Sequence, residues 1–307
     1  MTEYLVTGGC GFIGSHLCEA LLAQGDKVRI LDDLSTGKLA NKPRGAVLFR
    51  GDVADAALVR EALSGVDGCF HLAAVASVER GNEDWLGTHR TNLTGAITVF
   101  EAARRARSDG RAVPVVYASS AAVYGDNPAV PLAETAATRP LSAYGADKLG
   151  CELHARVAAH VHGVPTVGLR FFNVFGPRQD PKSPYSGVIS IFCDRLSAGQ
   201  GIRIFGDGRQ TRDFVYVADV VAALLAAMRR LPPESPVFNV CTGRSTSILD
   251  LAATIGALCG RAPQIDFAPP RAGEIRASLG DPARLAAALG VTAATSLRDG
   301  LAKTLGS

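Results

Sequence analysis

Several features that would place a protein in a membrane, around a metal or in an oxidising compartment are missing from these 307 residues. No apolar run approaches the roughly 20 residues of a membrane span. The seven cysteines are odd in number and include no CxxC pair, which argues against disulfides and structural zinc. A net charge of +3 is too small to indicate a nucleic-acid partner. We therefore predict a cytoplasmic protein with no metal, no membrane contact and no nucleic-acid partner, and we expect no leader before the strand at Tyr4.

Apolar runs and helical patterns alternate along the chain. Hydrophobic residues make up 47% and charged residues 20%, so the chain can bury a large core. The alternation predicts an α/β fold, a Rossmann-type doubly wound parallel sheet whose ligands bind beyond the carboxyl ends of the strands. A long helix is predicted at Trp85–Arg107. Buried strands are predicted at Tyr4–Thr7, Lys27–Leu31, Val47–Gly51, Gly68–Leu72 and Val113–Ala118.

A glycine-rich turn follows the first strand and precedes a helical pattern. Gly9, Gly11 and Gly14 match GxGxxG, and Gly8 gives the alternative GxxGxxG. Between a strand and a helix, such glycines allow a tight turn and a close approach of the backbone to a pyrophosphate, which the helix N-terminus attracts. The turn predicts a dinucleotide site.

Acidic or small residues follow the next strands. Asp32 lies about 20 residues after Gly11, where a carboxylate accepts hydrogen bonds from the adenosine ribose and repels a 2′-phosphate, so NAD is favoured over NADP. Asp33 is either a second ligand or an exposed loop acid, and Asp52 is placed for the adenine edge. The small residues Ala73–Ala74 allow a cofactor backbone to come close.

A proton-transfer site is predicted from Ser120, Tyr144 and Lys148. The tyrosine and the lysine are four residues apart, one turn apart on one face of a helix. A phenol titrates near ~10 in model peptides, and an adjacent cation favours its ionised form. Ser120, at the end of its strand, can hydrogen-bond the same substrate oxygen, so the set can move a proton on or off a sugar hydroxyl. His71, inside an apolar strand, is interpreted as a core residue.

The helix from Tyr144 also carries a second apolar stripe, formed by Leu149, Leu153, Val157 and Val161. A helix that is apolar on two sides must bury both. The outer stripe can be covered within the subunit or by a second copy across a two-fold axis. We expect a homodimer through the helices that contain Asn92 and Tyr144.

With these motifs in this order, the sequence resembles the extended short-chain dehydrogenase/reductase family, in particular its NAD-dependent nucleotide-sugar 4-epimerases of the UDP-glucose 4-epimerase-like group. The resemblance covers essentially the whole chain. It implies an NAD-binding domain of residues 1–172 and 214–243, and a smaller discontinuous domain of residues 173–213 and 244–307 that binds a nucleotide sugar. The segments that carry it are Thr7–Gly14, Leu31–Gly37, His71–Ala74, Ser119–Gly125, Tyr144–Lys148, Leu169–Pro177, Ile204–Gly208 and Thr211–Phe214.

The resemblance also implies roles for individual residues, with Ser120, Tyr144 and Lys148 as the catalytic set. The residues expected to bind NAD are Gly8, Gly11, Phe12, Ile13, Gly14, Asp32, Asp33, Ser35, Asp52, Val53, Leu72, Ala73, Ala74, Asn92, Tyr144, Lys148 and Phe171. The residues expected to bind the UDP-sugar are Ser77, Ser120, Asn173, Gly187, Val188, Arg203, Phe205, Arg212, Arg271, Glu274 and Ser278.

The reaction implied is epimerisation of a UDP-hexose at C4 through a transient 4-keto sugar. Related 4,6-dehydratases and decarboxylases carry acidic residues just after the catalytic serine or threonine, and related GDP-sugar epimerase-reductases carry a cysteine. This chain has Ala121 and Ala122, which argues against all three. At a position where a bulky side chain excludes N-acetyl sugars, it has Ser278, so UDP-GlcNAc and UDP-GalNAc are expected beside UDP-Glc and UDP-Gal. A uronate 4-epimerase, a 4,6-dehydratase, a decarboxylase and a non-catalytic NAD-binding regulator stay open as alternatives.

Overall fold

The fold is described by a computed structural model over residues 1–76, 78–107, 109–181, 187–232, 234–270 and 275–306. The strands are β1 Glu3–Thr7, β2 Lys27–Asp32, β3 Val47–Arg50, β4 Gly68–His71, β5 Val115–Ser120, β6 Thr166–Phe171, β7 Asn173–Phe175, β8 Ile202–Phe205, β9 Thr211–Arg212, β10 Phe214–Tyr216, β11 Val237–Val240, β12 Thr246–Ser247, β13 Ile265–Ala268 and β14 Ala277–Ser278. The α-helices are α1 Phe12–Ala23, α2 Ala56–Leu63, α3 Val78–Glu83, α4 Trp85–His89, α5 Gly95–Ala103, α6 Ala143–His162, α7 Val188–Ser197, α8 Val217–Arg230, α9 Ile248–Leu258, α10 Ala283–Leu289 and α11 Leu297–Leu305.

Seven strands form one parallel sheet in the order β11-β6-β5-β4-β1-β2-β3. Helices α2, α5 and α6 bury their apolar sides on one face of this sheet, and α1, α8 and α10 do so on the other. The predicted doubly wound parallel sheet is therefore confirmed. Because all seven strands run the same way, their carboxyl ends meet along one edge, which is where such folds bind their ligands.

A second apolar cluster lies outside this sheet, among α7, α9, α11 and the short strands near them. Strand β8 pairs with β13, and β9 pairs with both β12 and β14. Strand β10 pairs with β7, so this two-stranded sheet joins residues on opposite sides of the predicted domain boundary at 213 and 214. Strand β11 completes the large sheet beside β6.

Several element boundaries differ from the sequence prediction, and two of these differences lie near the site. The helix predicted at Trp85–Arg107 is α4 and α5 joined by a π-helical turn, Arg90–Thr94, and it ends at Ala103. It ends early because the chain turns back there, and the Val113 amide donates to the Ala103 carbonyl at 2.8 Å. Strand β5 continues through Ser120, because its last residues stay in register with β6.

All seven cysteines are unpaired, and six of them are buried. Within the described part of the chain, no helix is both long enough and apolar enough to cross a bilayer.

Candidate active site

The glycine turn forms a cradle with no room for side chains. Gly8 has a φ of +70°, and a Cβ on it would lie 2.8 Å from the Ala73 nitrogen. A Cβ on Gly14 would overlap the carbonyl oxygen of Gly8. Gly11 is the N-cap of α1 and offers no side-chain cap to the first-turn amides, which include those of Phe12 and Ile13. An open helix N-terminus above a glycine cradle fits the pyrophosphate of a dinucleotide.

The acids after β2 and β3 differ in their surroundings. Asp32 is buried and accepts hydrogen bonds from the Cys10 and Leu34 amides, both at 2.9 Å; burial is the main cause that raises the pKa of its carboxyl. Asp33 is exposed and accepts from the backbone and the hydroxyl of Ser35. Asp32 is thus the acid fixed at the strand end, while the Asp33–Ser35 pair closes a surface turn.

Beside β3, the predicted adenine site is bounded by Asp52 and Val53. The Asp52 carboxylate accepts from the Ala54 amide at 2.8 Å and pairs with Arg90 at 3.2 Å. Val53 is buried. The Asp52 carboxylate is therefore held by protein partners and is still partly exposed at the predicted adenine site.

The end of β4 is organised by Thr7 and His71, which lie side by side in the sheet. The Thr7 hydroxyl oxygen accepts from the Leu72 and Ala73 amides at 3.2 and 3.1 Å. Its proton is then free to be donated to His71 Nδ1, 2.8 Å away, which places the ring proton on Nε2. His71 is buried, as predicted, and burial together with the Lys148 charge lowers its pKa to about 3. Ala74 follows this segment at the sheet edge.

Asn92, predicted to bind the cofactor, is fully buried in the π-helical turn. Its side-chain oxygen accepts from the Val75 amide at 2.8 Å, and its NH₂ donates to the Val75 carbonyl at 3.2 Å. Its own carbonyl accepts from the Cys151 thiol. Asn92 therefore ties the loop after β4 to α6, and its side-chain amide is engaged by protein backbone.

Helix α6 brings Lys148 and Tyr144 to the end of β5. Ser142 caps the helix by accepting from the Gly145 amide at 3.1 Å. Lys148 is buried, donates to the Ala118 carbonyl at 2.9 Å and lies 5.9 Å from the centroid of the Tyr144 ring.

Ser120 stands on the facing element, at the start of the 3₁₀ helix Ala121–Tyr124. Its hydroxyl oxygen accepts from the Ala122 amide at 3.1 Å. Gly145 packs so closely on the Ala122 carbonyl that a Cβ there would lie 2.7 Å from the oxygen. The missing side chain lets the start of α6 approach the turn that follows Ser120. Phe171 is buried beside Ser120, in register with it on β6.

A cavity of about 820 Å³ lies in the C-terminal part of the chain. Five of the residues predicted to bind substrate line it: Asn173, Val188, Arg203, Phe205 and Arg212. Arg203 pairs with Asp266 at 2.9 Å at its exposed rim. Gly187 begins α7, which has no side-chain cap. Ser278 lies next to Arg212 across paired strands. Ser77, Arg271 and Glu274 lie outside the described residues.

Comparisons with known proteins show the family of the chain. Residues 4–241 match the NAD dependent epimerase/dehydratase family. The chain belongs to this family. A UDP-glucose 4-epimerase of Mycolicibacterium smegmatis is 37% identical, covering 98% of this chain and 96% of its own. The Thermotoga maritima UDP-glucose 4-epimerase, crystallised with UDP-glucose, has a TM-score of 0.94 at 35% identity, covering 99% of this chain and 98% of that one. A UDP-N-acetylglucosamine 4-epimerase from Methanobrevibacter ruminantium, solved with UDP-N-acetylmuramic acid, has a TM-score of 0.93 at 34% identity, covering 100% and 98%.

This member of the family is an NAD-dependent extended short-chain dehydrogenase/reductase of the nucleotide-sugar 4-epimerase type. The family, the fold class, the cofactor and the enzyme class predicted from the sequence are confirmed. The roles of the individual residues, the division into domains and the identity of the sugar stay predictions.

The sequence analysis missed part of the cavity wall. Ile191, Phe192 and Arg195 also line the cavity, all on α7. Their spacing from Val188 is helical, so the pattern could have placed them on the same face. Gln264 and Asp266 line it as well, but no local signal could have found them, because β13 meets β8 only through pairing across about 60 residues.

Proposed function

We propose that this enzyme interconverts UDP-hexoses at C4, exchanging UDP-Glc with UDP-Gal and UDP-GlcNAc with UDP-GalNAc. The observation that carries the proposal is the joint placement of Ser120, Tyr144 and Lys148. Strand β5 and helix α6 hold them at the carboxyl edge of the sheet, the edge at which the glycine cradle follows β1. A proton-transfer set beside a dinucleotide cradle suits reversible oxidation of a hydroxyl.

The cradle residues are those that would hold NAD. The amides at Phe12 and Ile13 would bind the pyrophosphate, and Asp32 would accept from the adenosine ribose with the acceptor capacity left beyond its two backbone bonds. When bound, NAD supplies the hydride acceptor and donor for C4 of the sugar. No net redox change results, so the cofactor can be retained between turnovers.

The chain's own residues move the proton at O4. Tyr144 takes the proton of the 4-hydroxyl and returns it to the other epimer, and the adjacent Lys148 cation stabilises the phenolate. The Ser120 oxygen already accepts from Ala122, so its proton is free to be donated to O4. Ala121 and Ala122 offer no second acid or base, which supports epimerisation over dehydration or decarboxylation.

The cavity in the C-terminal part is proposed as the site of the UDP moiety. Arg203 and Arg212 contribute positive charge, Phe205 offers a ring face, and Asn173 lies on the side toward β6. Guanidinium groups suit a diphosphate because their forks bond two oxygens at once. Arg271, Glu274 and Ser77 are proposed to complete the substrate site.

The small side chain of Ser278 supports use of the N-acetyl sugars. It sits next to Arg212, one of the cavity residues, and it is only partly buried. A relative of nearly the same fold is a UDP-N-acetylglucosamine 4-epimerase.

The experiment is to incubate purified protein with UDP-Glc, UDP-GlcNAc or UDP-glucuronate, without added NAD, and to separate the products. We expect an equilibrium mixture of 4-epimers of unchanged mass from UDP-Glc and from UDP-GlcNAc.

Two sets of variants test the residues. Ser278→Tyr should abolish turnover of UDP-GlcNAc while keeping that of UDP-Glc. Tyr144→Phe should lower kcat by about 100-fold or more, whereas Tyr4→Phe, at the amino end of the sheet, should not. A product lighter by one water or one carbon dioxide, or conversion of the uronate alone, would overturn the proposal.

A further inference from the structure

A row of polar side chains crosses the sheet beneath helix α6. Ser119, Arg170 and Asn239 are in register on β5, β6 and β11. Each is almost completely buried. Side chains in register on parallel strands share a face of the sheet, so the three form one continuous row. The row begins at the residue that precedes Ser120.

Glu152 meets this row from α6. It is buried and lies one helical turn beyond Lys148 on the side that carries Tyr144. Its Oε1 accepts from the Ser119 hydroxyl at 2.5 Å and from Arg170 Nε at 2.8 Å, and its Oε2 accepts from Arg170 Nη2 at 2.7 Å. A single carboxylate thus links the helix to two strands.

The network behind Glu152 is closed. The third nitrogen of Arg170 donates to the Tyr124 hydroxyl at 2.8 Å and to the Glu134 carbonyl at 3.1 Å. The Tyr124 hydroxyl in turn donates to Asn239 at 2.7 Å. Every charged atom of the buried pair therefore has a partner. Apolar residues of similar volume often stabilise a core as well as a buried ion pair does, so stability alone does not account for this pair.

Two successive contacts from α6 hold the end of β5. Lys148 holds the Ala118 carbonyl, and Glu152 holds the Ser119 hydroxyl. The next residue, Ser120, is the one whose hydroxyl faces the reaction. Because a hydroxyl displaced by about 1 Å can cost two orders of magnitude in rate, the register between β5 and α6 matters at this point.

We propose that Glu152 is a positioning residue of the active site, which acts through Ser119 to fix Ser120 relative to Tyr144 and Lys148. The inference rests on the proposed function only for its rate readout. Neither Glu152 nor Ser119 contacts the cavity that we assign to the UDP moiety.

The test uses Ser119→Ala, which removes the link to β5 but keeps the Glu152–Arg170 pair. The matched control is Thr166→Val, since Thr166 donates a hydroxyl bond from β6 to the Ala155 carbonyl of the same helix, farther from Tyr144. Ser119→Ala should lower kcat at least about ten-fold with an unchanged KM, while Thr166→Val keeps wild-type kcat. If Glu152→Leu, which leaves no acceptor for the Ser119 hydroxyl, also folds, Ser119→Ala should lower kcat no further in that background.

Crystal structures of the NAD-bound wild type and both variants give a readout that does not need turnover. Residues 118–120 should shift away from α6 in Ser119→Ala and stay in place in Thr166→Val. An unshifted segment, or a wild-type kcat in an active Ser119→Ala enzyme, would overturn the positioning role. A wild-type enzyme that converts no UDP-sugar would refute the proposed function instead. The crystal comparison would still decide whether Glu152 is a positioning residue.

Discussion

At the scale of single residues, the site depends on which polar atoms are already engaged. Ser120 accepts from a backbone amide and so keeps its proton to donate. Lys148 donates to the Ala118 carbonyl and lies 5.9 Å from the centroid of the Tyr144 ring. Asn92, by contrast, uses its amide on Val75. The same residue types therefore serve chemistry or architecture according to their partners.

His71 carries a testable consequence for stability. Its folded pKa is lowered to about 3, mainly by burial, from the ordinary value of 6.5. Between these values the unfolded chain binds a proton that the folded chain does not, so stability falls as the pH falls below about 6.5. From pH 7.5 to 5.5 we expect this group to cost about 1.4 kcal/mol.

The measurement is urea unfolding of the wild type and of His71→Leu at both pH values. The variant should lose less stability than the wild type on acidification, by about the same 1.4 kcal/mol. Thr7 keeps its bonds from Leu72 and Ala73 in the variant, so the comparison isolates the imidazole. Equal losses in the two proteins would contradict the assignment.

At the scale of elements, helix α6 has two faces with different roles. Its inner side carries Tyr144, Lys148 and Glu152, and its outer side leaves Leu153, Val157 and Val161 exposed by 59%, 48% and 66%. A contiguous stripe of large apolar side chains exposed to water marks a surface that binds another protein. We propose that a second copy covers it.

The dimer is tested by Val157→Asp, with Val47→Asp as the control. Both valines are exposed apolar residues, at 48% and 59%, but Val47 lies on the edge strand β3. Burying a charge in the middle of a helical interface is costly, so Val157→Asp should be monomeric by sedimentation velocity while Val47→Asp sediments like the wild type. A monomeric wild type would rule out the interface.

Features set by neighbouring residues could be predicted from the sequence, and features set by distant contacts could not. The glycine turn, the strand-end acids and the Tyr144–Lys148 spacing are signals within a few residues, and the structure brings them to one edge as predicted. The π-helical turn at Arg90–Thr94 was not predictable from local sequence; its Asn92 accepts from the Val75 amide and the Cys151 thiol, which are distant along the chain. The Glu152 network was missed for the same reason, since its members meet only through strand register.

At the scale of the whole molecule, the proposed active site draws on two parts of the fold, the large sheet and the outer apolar cluster. The glycine turn proposed to bind NAD and the residues proposed to transfer the proton lie on the seven-stranded sheet, and the cavity lies in the outer apolar cluster. The pairing of β7 with β10 connects the two proposed domains directly after Phe171 and Phe172. We propose that this pairing sets the distance between the sugar end and the nucleotide end of the substrate.

The most direct test of the central claim follows the hydrogen at C4. UDP-glucose carrying deuterium at C4 is converted in ordinary water, and the product is examined by NMR and mass spectrometry. If Tyr144 handles only the hydroxyl proton and the same C4 hydrogen leaves and returns, the UDP-galactose should keep its deuterium at C4. Replacement of the label by solvent hydrogen would mean that C4 itself is deprotonated, and would contradict the account.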